Sequence, residues 1–195
     1  MLTYADKNIT AIAWCPIDTS VIAQATNDKV FIIWDINTET VKYRTQLESH
    51  VFAAEWSPND PNIIYLIQSN GEFKIMNLAT KSLQSVEISH LNARPCVLKV
   101  HPSRADIISI GLMDGRIFFL KATTQESFVF NAHEDLSEDE VITPGMTPPG
   151  RRIEDIAWDP QEDNFLVSFA DKSMILATFQ GFSPDTRLVR QYEPQ

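Results

Sequence analysis

Short apolar runs flank polar turns along most of this chain. Residues 21–25 and 30–33, for example, are rich in β-branched and aromatic side chains and stand on either side of Asn27-Asp28-Lys29. Runs of four to six residues are shorter than most helices, and this composition favours strands. The pattern predicts an all-β protein built from hairpins.

A proline-containing motif recurs four times, with its first residues 42, 44 and 58 positions apart: Trp14-Cys15-Pro16, Trp56-Ser57-Pro58, Val100-His101-Pro102 and Trp158-Asp159-Pro160. The first two spacings fall in the ~40–45-residue period of a four-stranded propeller blade. The third equals that period plus an insertion of roughly 15 residues.

An Asp or Asn turn recurs at a nearly fixed distance after each proline motif. Asp28, Asn70 and Asp114 follow the first residue of their motif by fourteen positions, and Asp171 follows by thirteen. Asn-Gly and Asp-Gly between apolar runs predict hairpins, because both residues tolerate positive φ. A β-sandwich with evenly spaced strands is the alternative, but it does not predict that the proline turn and the Asp or Asn turn recur with the same spacing in four repeats.

Each period therefore predicts three apolar strands and a more polar outer strand, the latter at residues 40–47, 82–88 and 126–130, with 186–192 as the candidate in the tail. The fold class is all-β, with four four-stranded propeller blades that either close a small ring through the tail or, as we favour, form a segment of a larger propeller. Because such a segment would expose strand edges, we expect the isolated chain to be poorly soluble or oligomeric. The predicted domains are a leader (1–8), blade 1 (9–49), blade 2 (50–93), blade 3 (94–132), an acidic insertion (133–150), blade 4 (151–180) and a tail (181–195).

Trp34-Asp35 stands at the predicted end of a third strand, and Met76-Asn77, Leu120-Lys121 and Ala177-Thr178 occupy the matching positions. Here the sequence resembles the WD-repeat β-propeller family, in which Trp-Asp closes the third strand and Gly-His precedes the first. The resemblance covers roughly residues 9–179 and is greatest to a member whose N-terminal blades are followed by helical repeats.

The resemblance implies a structural network of hydrogen bonds in each blade. In the third repeat it would join His90, Ser109 and Asp114, although this sequence has no Gly-His and Leu120 replaces the Trp. Trp34, Asp35, Asp28 and Asp171 are assigned structural roles in the other blades. We also expect Trp14, Trp56 and Trp158, like Phe118, Phe119, Phe128 and Phe130, to pack in cores or between blades.

Net charge, cysteine content and the length of apolar runs limit the partners and the cellular location that we expect. The net charge of −10 and pI near 4.8 disfavour nucleic-acid binding. The first residues do not resemble a signal peptide, so a disulfide between Cys15 and Cys96 is not expected. Each cysteine lies in a short apolar segment, and we expect both to be buried thiols. No apolar run is long enough to span a membrane, so we predict a cytoplasmic protein without membrane insertion. The family's architecture adds the cilium or cytoskeleton as a further candidate location.

Residues 133–150 contain five acids, three prolines and two glycines, without Lys or Arg. This composition favours a solvated loop. The alternative is regulation by phosphorylation at Ser137, Thr143 or Thr147, because Ser137 precedes three acids and both threonines precede proline.

No motif for catalysis, phosphate binding or metal ligation occurs, so we expect no catalytic site, cofactor, metal or small-molecule substrate. The sequence predicts a non-catalytic scaffold that binds other proteins within a complex, and analogy of architecture suggests a role in trafficking or in cilia. The alternatives are a reader of modified peptides, for which Arg94, Arg104 and Arg116 are candidates, and an enzyme with its site in the propeller channel.

Overall fold

The computed structural model describes residues 7–88, 92–131 and 152–182, together with the backbone of residues 187–192. Within these described residues, sixteen strands form four antiparallel sheets, each of four strands hydrogen-bonded in chain order. Sheet 1 contains β1 (Ile9–Trp14), β2 (Val21–Thr26), β3 (Val30–Asp35) and β4 (Thr40–Gln46). Sheet 2 contains β5 (Val51–Trp56), β6 (Ile63–Gln68), β7 (Phe73–Asn77) and β8 (Ser82–Val86). Sheet 3 contains β9 (Pro95–Val100), β10 (Ile107–Leu112), β11 (Arg116–Lys121) and β12 (Ser127–Asn131). Sheet 4 contains β13 (Ile153–Trp158), β14 (Asn164–Phe169), β15 (Met174–Thr178) and β16 (Arg187–Tyr192).

The predicted all-β class and the four-stranded repeat are confirmed. The polar outer strands lie within two residues of the expected bounds, and Arg187–Tyr192 pairs with β15 as the fourth strand of sheet 4. The insertion at 133–150 falls outside the described residues, and the blade boundaries in the loops stay predictions.

Every first strand carries a β-bulge at the same repeat position. The residues without a register partner are Thr10, Phe52, Cys96 and Glu154, each four positions before the first residue of its proline motif. A bulge adds one residue to one strand and increases the local twist. The apolar pattern along these strands did not reveal it.

In the second unit the residue before each motif proline supports the turn that follows the first strand. Asp159 Oδ1 accepts hydrogen bonds from the backbone N–H groups of Gln161 and Glu162, at 2.8 and 3.1 Å. His101 Nδ1 accepts in the same way from Ser103 and Arg104, at 3.2 Å each. These side chains satisfy turn N–H groups that the ladder leaves unpaired.

In the hairpins between second and third strands, positive φ falls on the residue after the Asp or Asn. Gly71 and Gly115 have φ of 86° and 89°, and Lys29 and Lys172 have φ of 66° and 72°. The Asp and Asn side chains instead accept backbone N–H groups two residues on, as Asp171 Oδ1 does from Ser173 at 2.9 Å. The hairpins are where the turns predict them, but the acidic residue acts through its side chain and not through its φ.

The chain divides into two compact units, Met1–Asn92 with sheets 1 and 2, and Ala93–Gln195 with sheets 3 and 4. In the first unit an apolar cluster packs small residues of sheet 1, such as Ala13 and Ala23, with Trp56 and Ile64 of sheet 2. A separate cluster within sheet 1 contains Val30, Ile32 and Trp34. In the second unit the cluster is aromatic, and Phe119, Phe130 and Phe128 of sheet 3 pack with Phe165 and Phe179 of sheet 4. Burial of these side chains is the main stabilising term in each unit.

Candidate interaction surfaces

Trp56 joins sheet 2 to sheet 1 within the first unit. The side chain is 3% exposed, and its Nε1–H donates to the carbonyl oxygen of Ala13 at 3.0 Å. The small Ala13 side chain, which belongs to the same apolar cluster, leaves room for the indole. The motif tryptophan is therefore an inter-sheet contact as well as a core residue.

Trp158 joins sheet 4 to sheet 3 within the second unit. Its Nε1–H donates at 3.1 Å to Oγ of Ser109, and that hydroxyl donates to the carbonyl oxygen of Lys99. The Trp158 ring lies 4.6 Å from the ring of His101, centroid to centroid. Sheet 3 thus supplies a buried serine where sheet 1 supplies a carbonyl.

Trp14 departs from the expectation of core or inter-sheet packing. Its side chain is 54% exposed, and its Nε1–H donates to the carbonyl oxygen of Thr19 in the turn that follows its own strand. Ile12, on the same face of β1, is 60% exposed. The same sequence motif therefore has two environments, which depend on whether a sheet lies against it.

His101, Arg104 and Asp163 form a connected polar cluster in the second unit. The fully buried His101 places Nε2 3.2 Å from Oδ1 of Asp163, and the same carboxylate is paired with the guanidinium of Arg104. Because Nδ1 accepts two backbone N–H groups, the neutral ring carries its proton on Nε2 and donates it to Asp163. Burial, and then the Arg104 charge, lower the pKa of His101.

The residues assigned to a blade network have varied partners. Trp34 donates from Nε1 to Gln24 Oε1 at 3.1 Å. Asp35 Oδ1 accepts from the backbone N–H groups of Asn37 and Thr38 at 3.0 Å each, and the Thr38 bond lowers the pKa of Asp35. Asp35 therefore supports the turn between β3 and β4.

Asp28 accepts a hydrogen bond from the buried hydroxyl of Thr26 at 2.5 Å, and this bond lowers the pKa of Asp28. Asp171 accepts from Ser173, as described above, so both aspartates support their own hairpins.

The third-repeat network has a different arrangement in the described residues. Ser109 bonds to Lys99 and Trp158, whereas Asp114 accepts from the backbone N–H of Arg116 at 3.1 Å and pairs with its guanidinium. No hydrogen bond between Ser109 and Asp114 occurs in the part of the chain that the structure describes. The third member, His90, lies outside the described residues, as do Ser137, Thr143 and Thr147.

A groove of about 290 Å³ opens between sheets 1 and 2 of the first unit. Tyr43, Pro61 and Leu78 supply apolar wall, and Lys42 and Lys81 supply positive charge. Lys42 Nζ is held 3.1 Å from Asp35 and 3.8 Å from Asp18. Sequence reasoning missed this groove, because its lining comes from three turns and three strands that are separate in sequence.

The cysteines are free thiols. Cys15 is buried as expected, whereas Cys96 is partly exposed at a bulge, where Sγ donates to the carbonyl oxygens of Gly111 and Ile153 at 3.3 Å each. Burial raises the pKa of Cys96 to about 12, so its thiolate is disfavoured at neutral pH. Within the described ranges there is no group of three or more His, Cys, Asp or Glu side chains placed to hold a metal. In that same part of the chain no helix has the length and apolar character to cross a membrane.

Comparison with known proteins shows the fold. No family model matches the chain. A stretch of 90 residues, 46% of the chain, is 29% identical to Protein transport protein SEC31 homolog B of Arabidopsis thaliana and covers 8% of that protein. The chain thus spans less than a tenth of this curated relative. The structure matches the crystal structure of the Myceliophteria thermophila Cps50 (Swd1) β-propeller domain with a TM-score of 0.75 at 14% identity, over 99% of this chain and 60% of that chain. The four sheets are therefore blades of the β-propeller type, as the repeat period predicts.

Proposed function

We propose that the chain is a non-catalytic scaffold that binds other proteins through its propeller surface. The observation that carries the proposal is the groove between sheets 1 and 2, which combines an apolar wall with the exposed Lys81, while its second lysine, Lys42, is paired with Asp35. Its volume of about 290 Å³ lies at the lower limit of the ~300–1,000 Å³ typical of small-molecule sites. A groove of this size suits one or two side chains of a protein partner better than a cofactor.

The finer proposal is a place in a larger assembly. The repeats resemble the N-terminal blades of WD repeat-containing protein 17, and part of the chain resembles a plant protein named for protein transport. We propose a cytoplasmic complex concerned with trafficking, with the cilium or cytoskeleton as an alternative location. Imaging of the tagged protein at endogenous level tests the location, since absence from both transport carriers and cilia contradicts it.

Reversing the charge of a lysine in the groove tests the proposal that the scaffold binds its partners there. Lys81 and Lys29 are both exposed turn lysines with positive φ, at 55° and 66°, but only Lys81 lines the groove. Affinity purification with quantitative mass spectrometry should therefore show partners lost with Lys81→Glu and retained with Lys29→Glu. Equal recovery with both variants contradicts a role for the groove, and the lack of any specific partner contradicts the scaffold.

The two alternative functions have less support from the described residues. Arg104 and Arg116 are each paired with a carboxylate of the chain, which leaves less positive charge for a modified peptide. Enzymatic action would require an activated nucleophile or a metal-bound water. Turnover of any substrate in a hydrolase panel, lost when a specific side chain is removed, would favour the enzyme over the scaffold.

A further inference from the structure

The groove between sheets 1 and 2 offers an apolar lining to an entering side chain. Cys15, Val21 and Ile33 in this lining are buried, and Tyr43 and Leu78 are partly buried. Transfer of an aliphatic or aromatic side chain from water to such a surface is favourable in proportion to the apolar area that leaves water. The groove therefore favours a partner that presents a large apolar residue.

The carboxylates at the groove are already held by donors of the chain itself. Asp18 Oδ1 accepts from the hydroxyl and the backbone N–H of Ser20, at 2.6 and 3.0 Å, and the hydroxyl bond lowers the pKa of Asp18. Lys42 Nζ lies 3.1 Å from Asp35 and 3.8 Å from Asp18. Because two carboxylates share Lys42, this end of the groove retains negative charge.

Lys81, in the turn between β7 and β8, has a different setting. It is exposed at the groove, and among the described residues no carboxylate is paired with it. Leu78 of the same turn belongs to the apolar lining. A partner residue that packs against Leu78 therefore lies close to an ammonium group without a counter-charge.

The backbone of this turn does not require a lysine. Glu39, Lys81 and Gln125 each stand four residues after the last residue of a third strand, and their φ values are 54°, 55° and 59°. Few residues other than glycine adopt positive φ, yet three different side chains share this conformation at one repeat position. The turn conformation thus does not account for the lysine, and replacement of Lys81 by Gln or Glu should preserve the turn.

We propose that the groove binds a linear segment of a partner protein in which an Asp or Glu stands near a large apolar residue. The apolar side chain packs against Tyr43 and Leu78, and the carboxylate accepts hydrogen bonds from the Lys81 ammonium. This inference rests on the scaffold proposal and adds the chemistry of the partner. A basic residue in place of the acid is disfavoured, because it would meet Lys81 with the same charge.

The total charge of the chain opposes an acidic segment at long range. The net charge is −10, but the Debye length at 0.15 M salt is about 8 Å, so more distant charges are largely screened. Lys81 then attracts the acid at its own end of the groove, whereas Asp18 and Asp35 repel it from the other end. An exposed ion pair changes affinity by up to about fivefold, so the apolar residue should supply most of the affinity and the acid a smaller preference.

Selection from a display library of random linear peptides tests this chemistry without assuming a spacing. The purified wild-type chain, at about 0.15 M sodium chloride, should enrich peptides that carry Asp or Glu near a large apolar residue. Lys81→Glu, which gives this turn the residue type of Glu39, should lose the preference for acids. Lys29→Glu is the matched control, since Lys29 is an exposed turn lysine with φ of 66° outside the groove, and it should enrich the same peptides as the wild type.

A double-mutant cycle assigns the acid to Lys81. Fluorescence anisotropy compares a selected peptide with its copy in which the acid is changed to the amide, on the wild type, Lys81→Gln and Lys29→Gln. The change should weaken binding by about two- to fivefold on the wild type and on Lys29→Gln, and should have no effect on Lys81→Gln. Replacement of the apolar residue of the peptide by alanine should weaken binding at least about tenfold on all three.

Far-ultraviolet circular dichroism of each variant establishes that it is folded. Enrichment of apolar peptides without an acid, the absence of any enriched peptide, or an amide penalty that persists on Lys81→Gln overturns the proposal. The scaffold proposal is judged separately, because it fails only when affinity purification from cells recovers no specific partner.

Discussion

Replacing Trp56 by alanine should remove the principal contact between sheets 1 and 2. The side chain is 3% exposed and lies in a cluster with Ala13, Ala23, Ile64 and others, so its loss leaves a cavity and an unpaired Ala13 carbonyl. Trp→Ala changes in cores cost about 3–5 kcal/mol, of which the lost hydrogen bond contributes about 0.5–1.5. A domain is typically stable by about 5–15 kcal/mol, so this one change removes a large share of the stability of the first unit.

Trp14→Ala is the matched comparison, because the residue has the same repeat position and also makes one indole hydrogen bond. With 54% of its surface exposed, its loss should cost under about 1 kcal/mol. Urea unfolding followed by circular dichroism, at about 1 μM so that self-association is weak, should show a lower midpoint for Trp56→Ala and little change for Trp14→Ala.

Trp56→Phe separates packing from hydrogen bonding. It retains an aromatic ring but leaves the Ala13 carbonyl without its donor, so a loss of about 1–3 kcal/mol is expected, between the wild type and Trp56→Ala. If Trp14→Ala and Trp56→Ala destabilise the chain equally, the distinction between an uncovered and a covered motif tryptophan is wrong.

Three further predictions concern single positions. The lowered pKa of His101 means that the folded state favours the neutral ring. The ring's contribution to the free energy of unfolding is therefore complete above the unfolded pKa near 6.5 and is lost as pH falls below it. His101→Asn, with an oxygen that can replace Nδ1, should flatten the pH dependence of the unfolding free energy between about pH 6.5 and 5. Gly111→Ala should destabilise the second unit by about 1–3 kcal/mol, measured by urea unfolding, because a Cβ would lie 2.9 Å from Cγ2 of Ile153. Lys29→Gly should raise the stability of the first unit by up to about 1 kcal/mol in thermal unfolding, because φ is 66° there.

Each of these has a clear contrary result. An unchanged pH slope in His101→Asn means that another group is responsible. A neutral Gly111→Ala means that Ile153 moves aside without cost, and a destabilising Lys29→Gly means that the lysine side chain makes a favourable contact which outweighs the backbone strain.

The positions of strands and turns could be predicted from the sequence, because they depend on local chemistry that repeats. The proline motifs and the Asp or Asn turns stand at one phase, and the four sheets follow them closely. The capping by Asp35 and Asp171 is also local, since each accepts N–H groups within three residues. Among the predicted site residues, a turn-supporting role follows from the sequence most directly where the hydrogen-bond partners are near in sequence, as for Asp35 and Asp171.

The partners of the remaining residues depend on which sheet lies against which face, and this is a property of tertiary structure. Trp14, Trp56 and Trp158 have the same motif position, yet Trp14 is exposed, Trp56 is buried and donates to the Ala13 carbonyl of sheet 1, and Trp158 donates to Ser109, 49 positions away. The apolar pattern assigns a residue to a strand and a face, but the hydrogen bonds and the burial of that face require a second sheet. The sequence by itself therefore determined the repeat and its turns, whereas packing between sheets decided which motif tryptophan is a core residue and which one stays exposed.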